Sequence, residues 1–84
     1  MTQFWPEGIV IQVEVDEQGT LLALTWQGQT QHMVSIANRW RRDQGWWKKR
    51  IWREYFELTT EAGWFMIVYH DLVDDQWYLQ RLYD

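Results

Sequence analysis

The chain contains no cysteine, which removes disulfides, thiolate metal sites and a cysteine nucleophile and makes a small secreted disulfide scaffold untenable. It has one proline, and Pro6 stands ahead of the first regular segment, where it breaks no ladder. No stretch approaches the roughly 18 consecutive apolar residues of a membrane span. The start, Met1-Thr2-Gln3-Phe4-Trp5-Pro6-Glu7, has neither the basic opening nor the apolar run of a secretory leader. A cytoplasmic chain with no membrane partner is the expectation. At 84 residues there is room for one core, burying roughly 60–65% of the surface that the unfolded chain exposes, so residues 1–84 read as a single domain.

What is abundant is aromatic surface: eight Trp, four Tyr and three Phe. Each such ring buries roughly 150–250 Å², so a few would build the core and the others need a second role. The formal net charge of −4 argues against a nucleic-acid partner, because such domains usually carry a basic surplus. The distribution argues the other way. Seven of the eight cations (Arg39, Arg41, Arg42, Lys48, Lys49, Arg50, Arg53) fall within fifteen residues, opposed there only by Asp43.

Hydrophobic periodicity points to strands. Ile9, Ile11, Val13 and Val15 alternate with Val10, Gln12, Glu14 and Asp16, the period of a strand with one buried face. The polar run Asp16-Glu17-Gln18-Gly19 suits a hairpin whose last residue takes positive φ, and residues 20–26 follow as strand two. Gln27-Gly28 marks a second tight hairpin into residues 29–36, where Thr30, His32, Val34 and Ile36 form the apolar face. From Ala37 to Lys49 the alternation fails. That stretch reads as an irregular basic connector, with room for a helical turn or two between Ser35 and Arg42. Strands four to six are expected over 50–60, 64–71 and 77–83. The fold class is all-β, with at most one short helix: about six antiparallel strands in a strongly twisted sheet or small open barrel.

The second half carries Gly45-Trp46-Trp47, Arg53-Glu54-Tyr55-Phe56, Thr60-x-x-Gly63, Tyr69-His70-Asp71 and Trp77-Tyr78-Leu79-Gln80-Arg81-Leu82-Tyr83-Asp84. This succession, with Trp26-x-Gly28 ahead of it, resembles a family of short Trp-rich bacterial proteins. It is similar also to the C-terminal tail segment of ImuB-like proteins, catalytically inactive relatives of Y-family DNA polymerases. The resemblance implies an accessory or adaptor role near DNA repair and damage-induced mutagenesis, without turnover. The polymerase-like body of the longer proteins has no counterpart here, so their partner contacts do not carry over.

The candidate site is the segment 39–53. Cations neutralise phosphates while indole rings stack on bases at roughly 1–3 kcal/mol each. Arg41, Arg42, Lys48, Lys49 and Arg50 would hold phosphates, Trp46 would stack, and Arg39 and Arg53 would support the groove edge. Single-stranded nucleic acid is the ligand this predicts, and the resemblance implies a DNA-repair protein partner. Two readings stay open beside it. The same residues would serve as an interface hot spot for an acidic protein, or Trp40, Trp47 and Trp52 would plug the core while the cations solvate the surface. Trp46 and Trp47, adjacent in extended backbone, point to opposite faces, so one of the two is exposed. An open sheet edge would also permit a homodimer by strand pairing.

No cofactor, metal or catalytic residue is predicted. His32 reads as a half-buried packing residue. His70 and Asp71 are neighbours that face opposite ways in a strand, and a metal site needs three or four converging ligands. Glu14, Asp16, Glu17, Asp74 and Asp75 lie in or beside turns, where acidic residues serve the backbone. No phosphate-cradling glycine loop or nucleophile elbow is present.

Overall fold

A computed structural model describes residues 2–45 and 50–83. Those residues form six antiparallel strands and no helix: β1 (Gln3–Val15), β2 (Leu21–Trp26), β3 (Gln29–Gly45), β4 (Arg50–Thr60), β5 (Phe65–Asp71) and β6 (Gln76–Tyr83). Each pairs with its sequence neighbour, and β1 pairs with β6, closing a ring of hydrogen bonds. The ring is uneven because β1 and β3 each serve two sheets. Ile9 to Ile11 lie against β6, whereas Gln12 to Val15 lie against β2. Likewise Gln29 to His32 pair with β2, and Met33 to Gly45 pair with β4.

The turns follow from their residues. Asp16 Oδ1 accepts from the backbone N–H of Gln18 at 2.8 Å and of Thr20 at 2.9 Å, which locks the β1–β2 turn. Gln27 and Gly28 both take positive φ, 52° and 77°, as a two-residue hairpin matched to strand twist requires. Asp71 and Asp74 cap the β5–β6 turn by accepting from Val73 N and Gln76 N.

Inside the ring, Ile11, Leu21, Leu24, Phe56, Leu58, Met66, Val68, Trp77, Leu79 and Leu82 form one core cluster. Strand period selects those of β4 and β5, whose even residues point inward, and the register, shifted by a bulge between Leu79 and Arg81, carries that face across to Trp77, Leu79 and Leu82. Trp5, Trp26 and Trp64 pack against this cluster, and Trp26 meets the other two edge to face, with centroids 5.8 Å from Trp5 and 5.9 Å from Trp64.

Three expectations are corrected. The basic connector is neither irregular nor helical. Residues 37–45 continue β3, paired with β4 down to Gly45↔Arg50. The alternation is lost because the register shifts twice, between Met33 and Ser35 and between Ile36 and Asn38; each bulge breaks the period. Pro6 lies within β1, where the pairing with β6 shifts between Phe4 and Ile9. Finally, the apolar face assigned to the start of β3 is turned outward: His32 is exposed and Val34 is 65% exposed. The tight turn sets Leu24↔Gln31, and since Leu24 is buried, Gln31 and Met33 take the inner side.

Ring closure also moves the open edge. The first and last strands pair with each other, so the free backbone runs instead along β3 beyond His32 and along β1 before Gln12. Among the described residues nothing pairs with either flank.

Candidate functional site

The described cations of the 39–53 segment stand on one hairpin, β3–β4, but on both of its faces. Arg39, Arg41 and Asp43 lie opposite Phe56, Glu54 and Trp52, and Gly45 lies opposite Arg50. This inner face continues the core. Arg39 Nη2 and Arg41 Nη2 both donate to Glu54 Oε2 at 3.0 Å. The Arg39 guanidinium sits 5.3 Å from the Phe56 ring centre. Arg50 lies 4.6 Å from the Trp52 ring centre and donates to Asp43 at 3.5 Å. Glu54 is 14% exposed against 61% and 58% for its two partners. Burial alone would raise its carboxyl, but the bonds from Arg41 and Arg39 outweigh burial and hold it below its ordinary value.

The outer face is built differently. The register aligns Trp40↔Tyr55↔Tyr69↔Tyr78 across four strands. Their rings form a continuous row: Trp40 stacks on Tyr55 at 5.3 Å and 1°, Tyr55 meets Tyr69 at 5.2 Å, and Tyr69 stacks on Tyr78 at 4.8 Å. Tyr69 is 1% exposed although it faces away from the ring interior. It is covered from β1, where Glu7 O accepts its hydroxyl at 2.8 Å, and from β4, where Arg53 lies 4.6 Å from its ring centre. Burial, ahead of every other influence, pushes its phenol up to about 12. The row ends at Trp40, 41% exposed, beside the open flank of β3.

One step toward the hairpin end, Arg42 faces Arg53 directly. The Arg53 guanidinium turns away toward β5, over the Tyr69 ring, and its side chain is 15% exposed. Arg53 is partly compensated by Asp71 at 4.0 Å and bonds Tyr55 Oη at 3.4 Å, while its buried Nε has no hydrogen-bond partner. Arg42 donates to Gln44 Oε1 at 3.1 Å, and no carboxylate pairs with it among the described residues.

The structure therefore places Arg39, Arg41 and Arg50 inward and Arg42 and Arg53 outward. Trp46, Lys48 and Lys49 lie outside the described residues. No single face unites the described cations into one groove, because adjacent strand positions alternate sides. Trp40 does not plug the core. The sequence assigns the stacking role to Trp46, whereas the alternation of Trp40 with Arg39 and Arg41 is the available sign that Trp40 lies on the face opposite theirs.

His70 points inward, stacked on Trp77 at 4.4 Å, with Nε2 2.7 Å from Asp75 Oδ1. Asp71 points outward to Arg53. Among the described residues no three His, Asp or Glu side chains converge as metal ligands would.

Glu54 supports a first prediction. Its depressed carboxyl contributes stability that is present above the ordinary carboxylate pKa and is lost as pH falls through the lower folded value. Glu54→Gln should cost about 1 kcal/mol at neutral pH, the two exposed guanidiniums being largely screened. Urea unfolding at pH 7 and pH 3 checks this: the gap between wild type and variant should close at the acid end.

Comparison with known proteins adds no relative: no family model, no curated protein and no solved structure matches the chain.

Proposed function

We propose that this domain is a non-enzymatic binding module that contacts single-stranded nucleic acid, free or within a nucleoprotein complex, through the β3–β4 hairpin. One observation carries the reading: the described cations of the cluster, Arg39, Arg41, Arg42, Arg50 and Arg53, stand on a single two-stranded element whose β3 side is exposed on both faces. Between Arg39 and Glu54 the sequence sets seven cations against two carboxylates, in a chain whose net charge is −4. A polyanion is thus drawn to this element and repelled elsewhere. Similarity to the ImuB tail segment motivates a setting in DNA repair and damage-induced mutagenesis.

The test is a titration with oligothymidine followed by intrinsic tryptophan fluorescence at about 50 and 200 mM salt. Binding should saturate at low salt and weaken log-linearly, with a slope near 0.7 per phosphate neutralised. Glu54→Gln, which releases two arginines, should tighten binding a few-fold at low salt. Absence of quenching at low salt discards nucleic acid as a direct ligand.

An acidic protein partner is the second reading, favoured by the unpaired flank of β3, where an extended segment can add as a strand. Such an interface, resting on backbone bonds and tryptophan burial, should respond less to salt. The same flank is where a homodimer by strand pairing would form, and sedimentation across a hundredfold concentration range detects it.

A further inference from the structure

We infer that Trp40, Arg42 and Arg53 form a nucleotide subsite on the outer face of the hairpin, the indole receiving a base and the arginine pair the adjoining phosphate. The inference rests on the proposed nucleic-acid reading and assigns the stacking role to Trp40, where the sequence suggested Trp46.

Three features point to it together. First, Trp40 has one ring face against Tyr55, parallel to within 1°, and the residue is 41% exposed. The ring is held in orientation by the row behind it, so little side-chain freedom remains to be lost on binding. A base stacking on the other face would extend the row Tyr78, Tyr69, Tyr55, Trp40 by one more ring.

Second, the cation pair is in the right place. Arg42 follows Trp40 by two residues on the same face, and Arg53 stands opposite Arg42. Two residues along a strand span about 6.8 Å, a separation that a sugar bridges between its base and its phosphate. Third, the pair is charged in excess. Asp71 lies 4.0 Å from Arg53, whereas the described partner of Arg42 is the neutral Gln44 amide. A phosphate there would offset this excess and accept charge-assisted bonds from Arg42, with Arg53 behind it over the Tyr69 ring.

Among the described residues the inner face offers no equivalent. Arg39 and Arg41 already share Glu54, and Trp52 carries the Arg50 guanidinium over its ring. The two faces therefore make different predictions, and Arg39 is the natural control for Arg42.

The experiment measures anisotropy of a fluorescently labelled oligothymidine with wild type, Trp40→Ala, Trp40→Phe, Arg42→Gln and Arg39→Gln, across a salt series. Trp40→Ala should weaken binding roughly 5–160-fold with its salt slope unchanged, as loss of one stacked base predicts. Trp40→Phe should restore much of the loss, which excludes a general effect on folding; a thermal melt of each variant confirms it. Arg42→Gln should lower the salt slope by about 0.7, and Arg39→Gln should lower it less, its charge being shared with Glu54.

If the oligonucleotide binds wild type but Trp40→Ala stays within twofold of it, the subsite is wrong while hairpin binding stands. Equal competition by polyglutamate of the same charge, indifferent to Trp40, also overturns it, because charge alone would then account for binding. If wild type binds no oligonucleotide at about 50 mM salt, both the subsite and the proposed function fall.

Discussion

Gly8→Ala is expected to destabilise the domain by about 3–5 kcal/mol, the sum of positive-φ strain and overpacking. Gly8 has φ of +74°, and a Cβ there would sit 2.8 Å from Tyr78 Cβ and 3.0 Å from both Cε2 and the hydroxyl oxygen of Tyr69. Neither neighbour yields easily. A Cβ is fixed by its backbone, and Tyr69 is held by its bond to Glu7 O. Gly19 supplies the control, with φ of +81° but nothing within 4 Å of its Cβ position. Gly19→Ala carries the strain without the clash and should cost about 1 kcal/mol. A chain of this length has about 4–13 kcal/mol of stability in all, so the first variant should be marginal at room temperature and the second scarcely altered. Urea midpoints separate them. Equal costs would mean that Gly8 is not packed against the tyrosine row.

Trp77→Ala should have an effect of similar size, about 3–5 kcal/mol. Trp77 is 9% exposed and lies between Phe56, stacked at 5.5 Å, and His70, at 4.4 Å. It also faces Ile11 in the β1–β6 pairing, so its removal hollows the core where the ring closes. The loss should appear as a lower melting temperature and weaker near-ultraviolet dichroism. Oligonucleotide affinity per folded molecule should not change, because the hairpin lies on other strands. Trp77→Phe, which keeps an aromatic ring against His70, should recover part of the stability. An unchanged melting temperature in the alanine variant would contradict the placement of Trp77 in the core.

Much of the fold was legible where one strand face is buried and its phase is unbroken. β4 runs over Arg50–Thr60 as its alternation predicts, and the Gln27-Gly28 turn appears where the dipeptide places it. β3 was legible only in part. Beyond Met33 both of its faces meet solvent, so burial imposes no period, and two bulges shift what period remains. The pairing of β1 with β6 is a long-range choice that no local pattern records. The candidate site divides in the same way. Clustered charge in sequence identified the hairpin, but strand alternation distributed the arginines between two faces. The outward burial of Tyr69 had no local sign, since its cover comes from Glu7 and Gly8, some sixty residues away.

The ring has a kinetic consequence. Its closing contacts join Gln3 to Leu82 and Ile11 to Trp77, so the loop being closed is nearly the whole chain. Such non-local topologies fold in milliseconds to seconds, and on a ribosome adding about 5–20 residues per second this one cannot close before β6 has emerged. Until then β1 and β6 lack each other as partners. Ile9 and Ile11 stay open to other chains in that interval, and their vulnerability is set by the time β6 takes to emerge rather than by the stability of the finished ring.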